Sequence, residues 1–230
     1  DSSRVIRGAD GVVYRYLWSP RGPWAIHLLE ADLTRCRLGV EAAAEEQEGR
    51  ATVTELAVAE QLLAGITTTT DMYFFGDEVA RVLADAGMRG VVAESLIDFA
   101  TPRCSGPEEM LERQRELIDA YADHPLMVPS VAAHAPYSVS AQNLVAEAEL
   151  AESSGVPLQL HISETRWEVE KLISDKGVSP VAYLADLGVL SERVVAAHCV
   201  HVSPEDIDLL LEFEVGAGHN PVSNLKLSSG

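Results

Sequence analysis

From residue 52 onward, hydrophobic and polar positions alternate between two periods. Residues 52–64 place Val53, Leu56, Val58, Leu62 and Leu63 at helical spacing, and Gly65 stops the run. Residues 66–75 read as a β-branched strand, and 76–86 as a helix closed by Gly87. A strand over 90–97 follows, and Pro107 opens a helix to 121, with proline in the first turn where its missing N–H is harmless. Residues 126–133 are strand, and Ser140 caps a helix to 153 that Gly155 ends. Residues 156–162 are strand, followed by helices around 167–174 and 179–186. Residues 194–200 are strand, Pro204 opens a helix to about 213, and 215–217 begin a last strand before His219-Asn220-Pro221.

The six strands are short, apolar on both faces and rich in Val, Ile and Ala, as suits a parallel sheet covered by helices. Polar residues gather at their carboxyl ends: Asp71, Asp98, His134, Glu164, His198 and His219. That edge carries the site in a (β/α)8 barrel and in an open doubly wound sheet alike. No G-x-G-x-x-G follows the first strand, so the pattern predicts an α/β fold of the TIM-barrel type. Residues 1–50 lack this rhythm. Residues 12–18 and 24–29 alternate like antiparallel strands around Pro20-Arg21-Gly22-Pro23, and 41–49 read as an Ala/Glu-rich surface segment or linker. The expected organisation is therefore an N-terminal β-rich segment over 1–50 and a barrel portion over 51–230.

Composition narrows the function. With 230 residues and 47% hydrophobic content, the chain can bury one large core. A formal charge of -19 and a pI near 4.6 repel nucleic-acid phosphates and anionic lipid, so neither is an expected partner. No apolar run approaches the ~20 residues of a membrane span. Cys36, Cys104 and Cys199 form no C-x-x-C, which points to a reducing, cytoplasmic setting without a cysteine metal site. A homo-oligomer is compatible with all of this. The chain opens on Asp1 instead of Met, and the expectation is an incomplete product.

The chemistry concentrates in Leu160-His161-Ile162-Ser163-Glu164-Thr165. A strand that ends in a histidine, with a carboxylic acid three residues on, can offer a metal ligand and a proton carrier to one pocket. His198 ends the next strand, and neighbouring parallel strands lie about 4.8 Å apart, so both imidazoles can reach that pocket. His198 is expected inside and His201 nearer the rim. His134 sits where a loop leaves the fourth strand and could touch substrate. The amides of His219-Asn220-Pro221 with Ser223-Asn224 are expected to satisfy backbone groups in a polar turn, and His27 and His124 are given no role.

Together these segments resemble the amidohydrolase superfamily, in the branch of adenosine-type deaminases acting on methylthioadenosine and S-adenosylhomocysteine. The matching stretches are residues 64–73, Ala133-His134-Ala135-Pro136-Tyr137-Ser138, His161-Ile162-Ser163-Glu164-Thr165, Ala196-Ala197-His198-Cys199-Val200-His201 and residues 219–227. The resemblance implies a metal-dependent deaminase of purine nucleoside-like substrates. His161 would ligate zinc, with iron the alternative; Glu164 would shuttle protons to the ring. His198 would orient the attacking water, or ligate a metal in other arrangements, and His134 would contact the substrate. An arginine frequent at the third strand is replaced by Glu94-Ser95, which argues against an amino-acid-tailed substrate. The family's His-x-His on the first barrel strand is absent and no eighth-strand aspartate is reached, so the barrel is expected to lack its first and last strands, hold metal poorly and turn over weakly. Residues 1–45 resemble the start of phosphodiester glycosidase domains through Gly22-Pro23-Trp24-Ala25-Ile26-His27 and Glu30-Ala31-Asp32-Leu33. The alternatives are hydrolysis of another C–N or a C–Cl bond, as in chloro-triazines, and a non-catalytic module derived from a barrel.

Overall fold

The computed structural model describes residues 3–7, 13–17 and 47–229, with side chains from residue 53 onward. The chain divides into two compact units, residues 1–69 with 78–90 and residues 70–77 with 91–230.

In the first unit, β1 (Ser3–Arg7) pairs antiparallel with β2 (Val13–Leu17), Ser3 opposite Leu17 and Arg7 opposite Val13. The second of these falls where alternation predicts it; its partner is residues 3–7, which the alternation had not marked. The expected strand over 24–29, its turn, and His27 and Cys36 lie outside the described residues. Helix α1 (Gln47–Leu63) starts earlier than the predicted 52 and runs through Gly49, so part of the expected linker is helical. Strand β3 (Thr68–Asp71), helix α2 (Gly76–Asp85) and strand β4 (Arg89–Val92) follow, each having residues in both units. Within the first unit, the Arg89 guanidinium donates to the Thr67 and Thr68 hydroxyls at 2.8 and 2.9 Å.

The second unit holds β5 (Ser95–Leu96), α3 (Pro107–Tyr121), β6 (Met127–Pro129), β7 (Val131–Ala133) and α4 (Ala141–Ser154). It continues with β8 (Leu158–Ile162), α5 (Arg166–Lys176), α6 (Pro180–Asp186), β9 (Val194–His198), α7 (Pro204–Glu212), β10 (Gly216–Gly218) and α8 (Pro221–Lys226). Its sheet runs β5-β7-β8-β9-β10, and each of these pairs is parallel. Beyond β5 the ladder continues through Ser95 N–H to the Tyr73 carbonyl at 2.9 Å and Ala93 N–H to the Asp71 carbonyl at 3.0 Å. The strands of this sheet follow chain order with no reversal, while β3, β4 and β6 form a three-stranded sheet in the same order. That is barrel order and not doubly wound order.

Leu158, Leu160, Ile162, Val194 and Ala196 are buried in one hydrophobic core with Met110, Leu144, Leu172, Leu184 and Leu210 from the covering helices. The alternate residues face the other way: Gln159 reaches the Ser130 hydroxyl at 2.8 Å and the Asp71 carbonyl at 3.3 Å, across the interior of the strands. Both faces are covered, which explains why the strands read as apolar runs. The helix starts follow local rules: Ser179 and Ser203 each accept the N–H three residues on, with proline next in line. Gly155 ends α4 in the left-handed region that glycine adopts at least cost. At Gly76 the reason for glycine is space, because a Cβ would lie 2.6 Å from the Ala93 carbonyl oxygen.

Candidate active site

The carboxyl ends of β7, β8 and β9 bring His134, His161 and His198 side by side, with ring centroids 5.1 Å apart for the first pair and 5.4 Å for the second. His161 follows from strand parity: it is in phase with Gln159, away from the helices. Its backbone N–H and its Nδ1–H both donate to the His134 carbonyl, at 3.1 and 2.7 Å. The carbonyl can only accept, so Nδ1 carries the proton and Nε2 keeps a free lone pair. Burial pushes the His161 pKa down, so the ring is neutral near pH 7.

His134 is fixed by similar reasoning. The Ser138 hydroxyl gives its single proton to the Ala135 carbonyl at 3.2 Å. With the hydroxyl so oriented, its oxygen accepts from His134 Nδ1 at 2.7 Å and Nε2 of His134 is bare as well. Burial first, and the neighbouring His161 second, hold the His134 pKa down to about 4. Tyr137 stacks edge-on against His134 at 5.9 Å and against the exposed Trp167 at 5.5 Å, giving the mouth an aromatic border that periodicity did not reveal.

His198 does not follow from parity. It pairs with Ile162, whose side chain is buried in the core against the helices. Instead, His198 and Cys199 take positive φ values of 79° and 48°, so the strand alternation breaks there. The imidazole then lies with Nε2 3.5 Å from Glu164 Oε1. Ser163, at the end of β8, likewise has φ 52° and releases Glu164 from the strand. Left-handed conformations at residues other than glycine are costly and cluster where chemistry occurs.

Asn224, on α8, donates its amide N–H to His198 Nδ1 at 3.1 Å. With the amide so oriented, Nδ1 accepts and the proton of His198 sits on Nε2, facing Glu164. Of the polar turn expected at His219-Asn220-Pro221 with Ser223-Asn224, the part from Pro221 is a helix, and the Asn224 amide serves the site and not the backbone. Burial raises the Glu164 pKa, with His161 opposing it, so the acid stands closer to neutrality than an exposed glutamate. Burial also lowers the His198 pKa, against the Asn224 bond.

His201 stays outside the cluster. Its Nε2 lies 3.2 Å from the Ser229 hydroxyl, which donates to the Glu164 carbonyl. His124 Nδ1 accepts the Leu126 and Met127 amides after α3. Asp98, polar and at a strand end, binds Ser140 N–H at 2.7 Å and the Asn143 amide at 2.6 Å, and so anchors α4. The residue that sequence reasoning missed most plainly is Glu168, whose carboxylate accepts the amides of Ser163 at 3.0 Å and Glu164 at 2.8 Å. Its signal was present: Thr165 and Glu168 have the spacing of a capping box.

Nε2 of His161 fits one position of a divalent metal, being neutral, half-buried and oriented by a carbonyl behind it. Among the described residues, no group of three or more His, Cys, Asp or Glu is arranged to hold a metal. The described residues therefore offer a ligand but not a full set.

The chain is similar to several known proteins. The 5-methylthioadenosine/S-adenosylhomocysteine deaminase of Thermodesulfovibrio yellowstonii is 41% identical over 177 residues, 77% of this chain and 40% of that protein. The 5'-deoxyadenosine deaminase of Methanothrix thermoacetophila is 40% identical over 176 residues, 76% of this chain and 41% of that protein. Among solved structures, a zinc-bound adenosine deaminase from Xanthomonas campestris superposes with a TM-score of 0.81 at 38% identity, covering 86% of this chain and 45% of that one. Atrazine chlorohydrolase from Arthrobacter aurescens, at TM-score 0.72 and 20% identity over 86% of this chain and 49% of its own, shares the fold. The chain spans about 40% of the length of the curated relatives it matches. The model of the amidohydrolase family matches residues 21–230, and the chain belongs to that family.

Proposed function

We propose that the chain is part of a metal-dependent aminohydrolase that removes the ring amine of adenosine-type purines such as methylthioadenosine or 5'-deoxyadenosine, with S-adenosylhomocysteine disfavoured by Glu94-Ser95 at the third strand. One observation carries this reading: Glu164, a half-buried acid of raised pKa, faces Nε2–H of His198 beside the free Nε2 of His161. The names of the relatives supply the substrate class. A divalent metal, zinc first and iron second, would be held in part by His161 and would make water a nucleophile near neutral pH. With the metal bound, Glu164 would take one proton from the attacking water and pass it to the ring nitrogen as the oxygen adds to the amine-bearing carbon; the proton of the added hydroxyl would then pass to the amine, which leaves as ammonia when the C–N bond breaks. Nε2–H of His198 points at the same space and orients the water; a ring that carries its proton there is not a metal ligand. Nε2 of His134 accepts a hydrogen bond from the substrate.

The proposal includes a cytoplasmic location, which the free Cys104 and Cys199 support. Among the described residues no helix is long and apolar enough to cross a membrane. The strongly acidic charge argues against nucleic acid and anionic membrane as partners, and a homo-oligomer is compatible with it. We also propose a division near residue 50, between an N-terminal β-rich segment and the barrel portion over 51–230.

The test is ammonia release from methylthioadenosine and 5'-deoxyadenosine with zinc supplied, for the wild type and Glu164→Gln. Loss of about 10²- to 10⁴-fold in kcat is expected. An undiminished rate in the variant would remove Glu164 from the chemistry. A second reading, a barrel-derived binding module without catalysis, is favoured by the lack of a three-ligand group among the described residues. It wins if substrate binds, zinc is held and no ammonia forms.

A further inference from the structure

Glu164 leaves the end of β8 through a turn that is gripped from two directions. The Ser163 carbonyl accepts the amides of Val200 at 3.1 Å and His201 at 2.9 Å, which come from the loop after β9. On the other side, Glu168 Oε1 accepts the Ser163 amide at 3.0 Å and Oε2 accepts the Glu164 amide at 2.8 Å. Glu168 is only 1% exposed, so these bonds act without competition from water. Burial raises the Glu168 pKa while the amides of Glu164, Ser163 and Thr165 oppose the rise, and in the ionised form such bonds are roughly twice as strong as neutral ones. They meet a conformation that needs holding, since Ser163 has φ 52° and its buried hydroxyl has no hydrogen-bond partner among the described residues.

We propose that Glu168 is a positioning residue: by clamping the amides of Ser163 and Glu164, it fixes the left-handed turn that aims the Glu164 carboxyl at Nε2 of His198. This rests on the reading of Glu164 as the proton carrier. A plain helix cap is the competing role, because the Glu168 amide donates to the Thr165 hydroxyl oxygen at 3.2 Å in capping-box fashion. The two roles make different demands. A capping box is served by glutamine as well as by glutamate. The clamp uses one oxygen per amide, and glutamine replaces one oxygen with an NH2 group that would face an N–H donor.

Glu168→Gln therefore separates them, assayed on the full chain with zinc supplied beside Glu164→Gln and Glu168→Ala. The expected result for Glu168→Gln is a fall in kcat of about 10- to 100-fold, as for a reacting group displaced by a fraction of an ångström to an ångström, with KM within about threefold. Backbone amide exchange at 163 and 164 should accelerate in the same variant while that of residues 169–176 stays as in the wild type. Wild-type turnover and wild-type protection in Glu168→Gln would overturn the proposal and leave Glu168 a cap. If Glu164→Gln keeps full activity, the reading of Glu164 fails, and amide exchange still decides whether Glu168 holds the turn. If the wild type releases no ammonia, exchange alone decides. Glu168→Ala should lose both the clamp and the cap, so its amide protection falls across the start of α5 as well.

Discussion

Glu164 and Glu147 are two acids that burial pushes above the ordinary carboxyl range, in regions that treat them oppositely. Glu147 lies on α4, fully buried, and among the described residues neither carboxyl oxygen has a hydrogen-bond partner. Gln114 and Arg115 oppose its shift only in part. Glu164 stands on a turn where carbonyls, amides and a second carboxylate fix the backbone, and its own oxygen faces an imidazole. A perturbed acid is therefore not evidence of chemistry by itself. The convergence of Glu164 with two histidines at a strand edge is what distinguishes it.

The sharpest way to break the comparison is to change both acids to their amides. Glu164→Gln should lose about 10²- to 10⁴-fold in kcat, while Glu147→Gln should keep the wild-type rate. A similar loss in both would mean that Glu147 reaches the site through packing, and the contrast would fail.

Asn224 offers the next largest effect. Aspartate there would accept from Nδ1–H, move the proton of His198 off Nε2 and point a bare nitrogen at Glu164. Turnover in Asn224→Asp should fall about tenfold or more at nearly constant KM. An unchanged rate would show that the tautomer of His198 is immaterial.

For Glu147 the expected effect is on stability. Its folded pKa is raised above the ordinary 4.5, so the folded chain keeps a proton that the unfolded chain gives up. The contribution of this group is full below about pH 4.5 and is lost as the pH climbs towards the raised folded value. Glu147→Gln cannot ionise and should be more stable than the wild type at pH 7–8 by about 1–3 kcal/mol, with the gap closing near pH 4. Urea unfolding at several pH values measures this, and a gap independent of pH would mean that Glu147 is already satisfied. The smallest effect concerns the proposed division: brief proteolysis should cut before α1 and leave a fragment from about residue 50 that binds substrate as the whole chain does. A first cut within 91–229 would count against the division.

Much of the barrel portion was legible because its inner strands, such as β7 and β8, are buried on both faces and its helix starts carry Ser-Pro signals, as at Ser179-Pro180 and Ser203-Pro204. The start of α1 was misjudged because Gly49 and the Ala/Glu composition around it carry no apolar period. The 221–226 helix was missed because Asn, Pro and Ser announce turns and helix starts alike, and a short helix has no room for a repeat.

The order of residues by itself determined which side chains stand at the strand ends, and period-2 alternation alone directs His161 towards the site. It could not direct His198, which shares the phase of Ile162 and would face the helices in a regular strand. Only the tertiary structure decided that orientation, because a left-handed φ is stabilised by bonds to segments far away in sequence, here Asn224 to His198 and the Ser163 carbonyl to the Val200 and His201 amides. Local propensity disfavours such a conformation at histidine and serine, so no reading of neighbours along the chain could have supplied it.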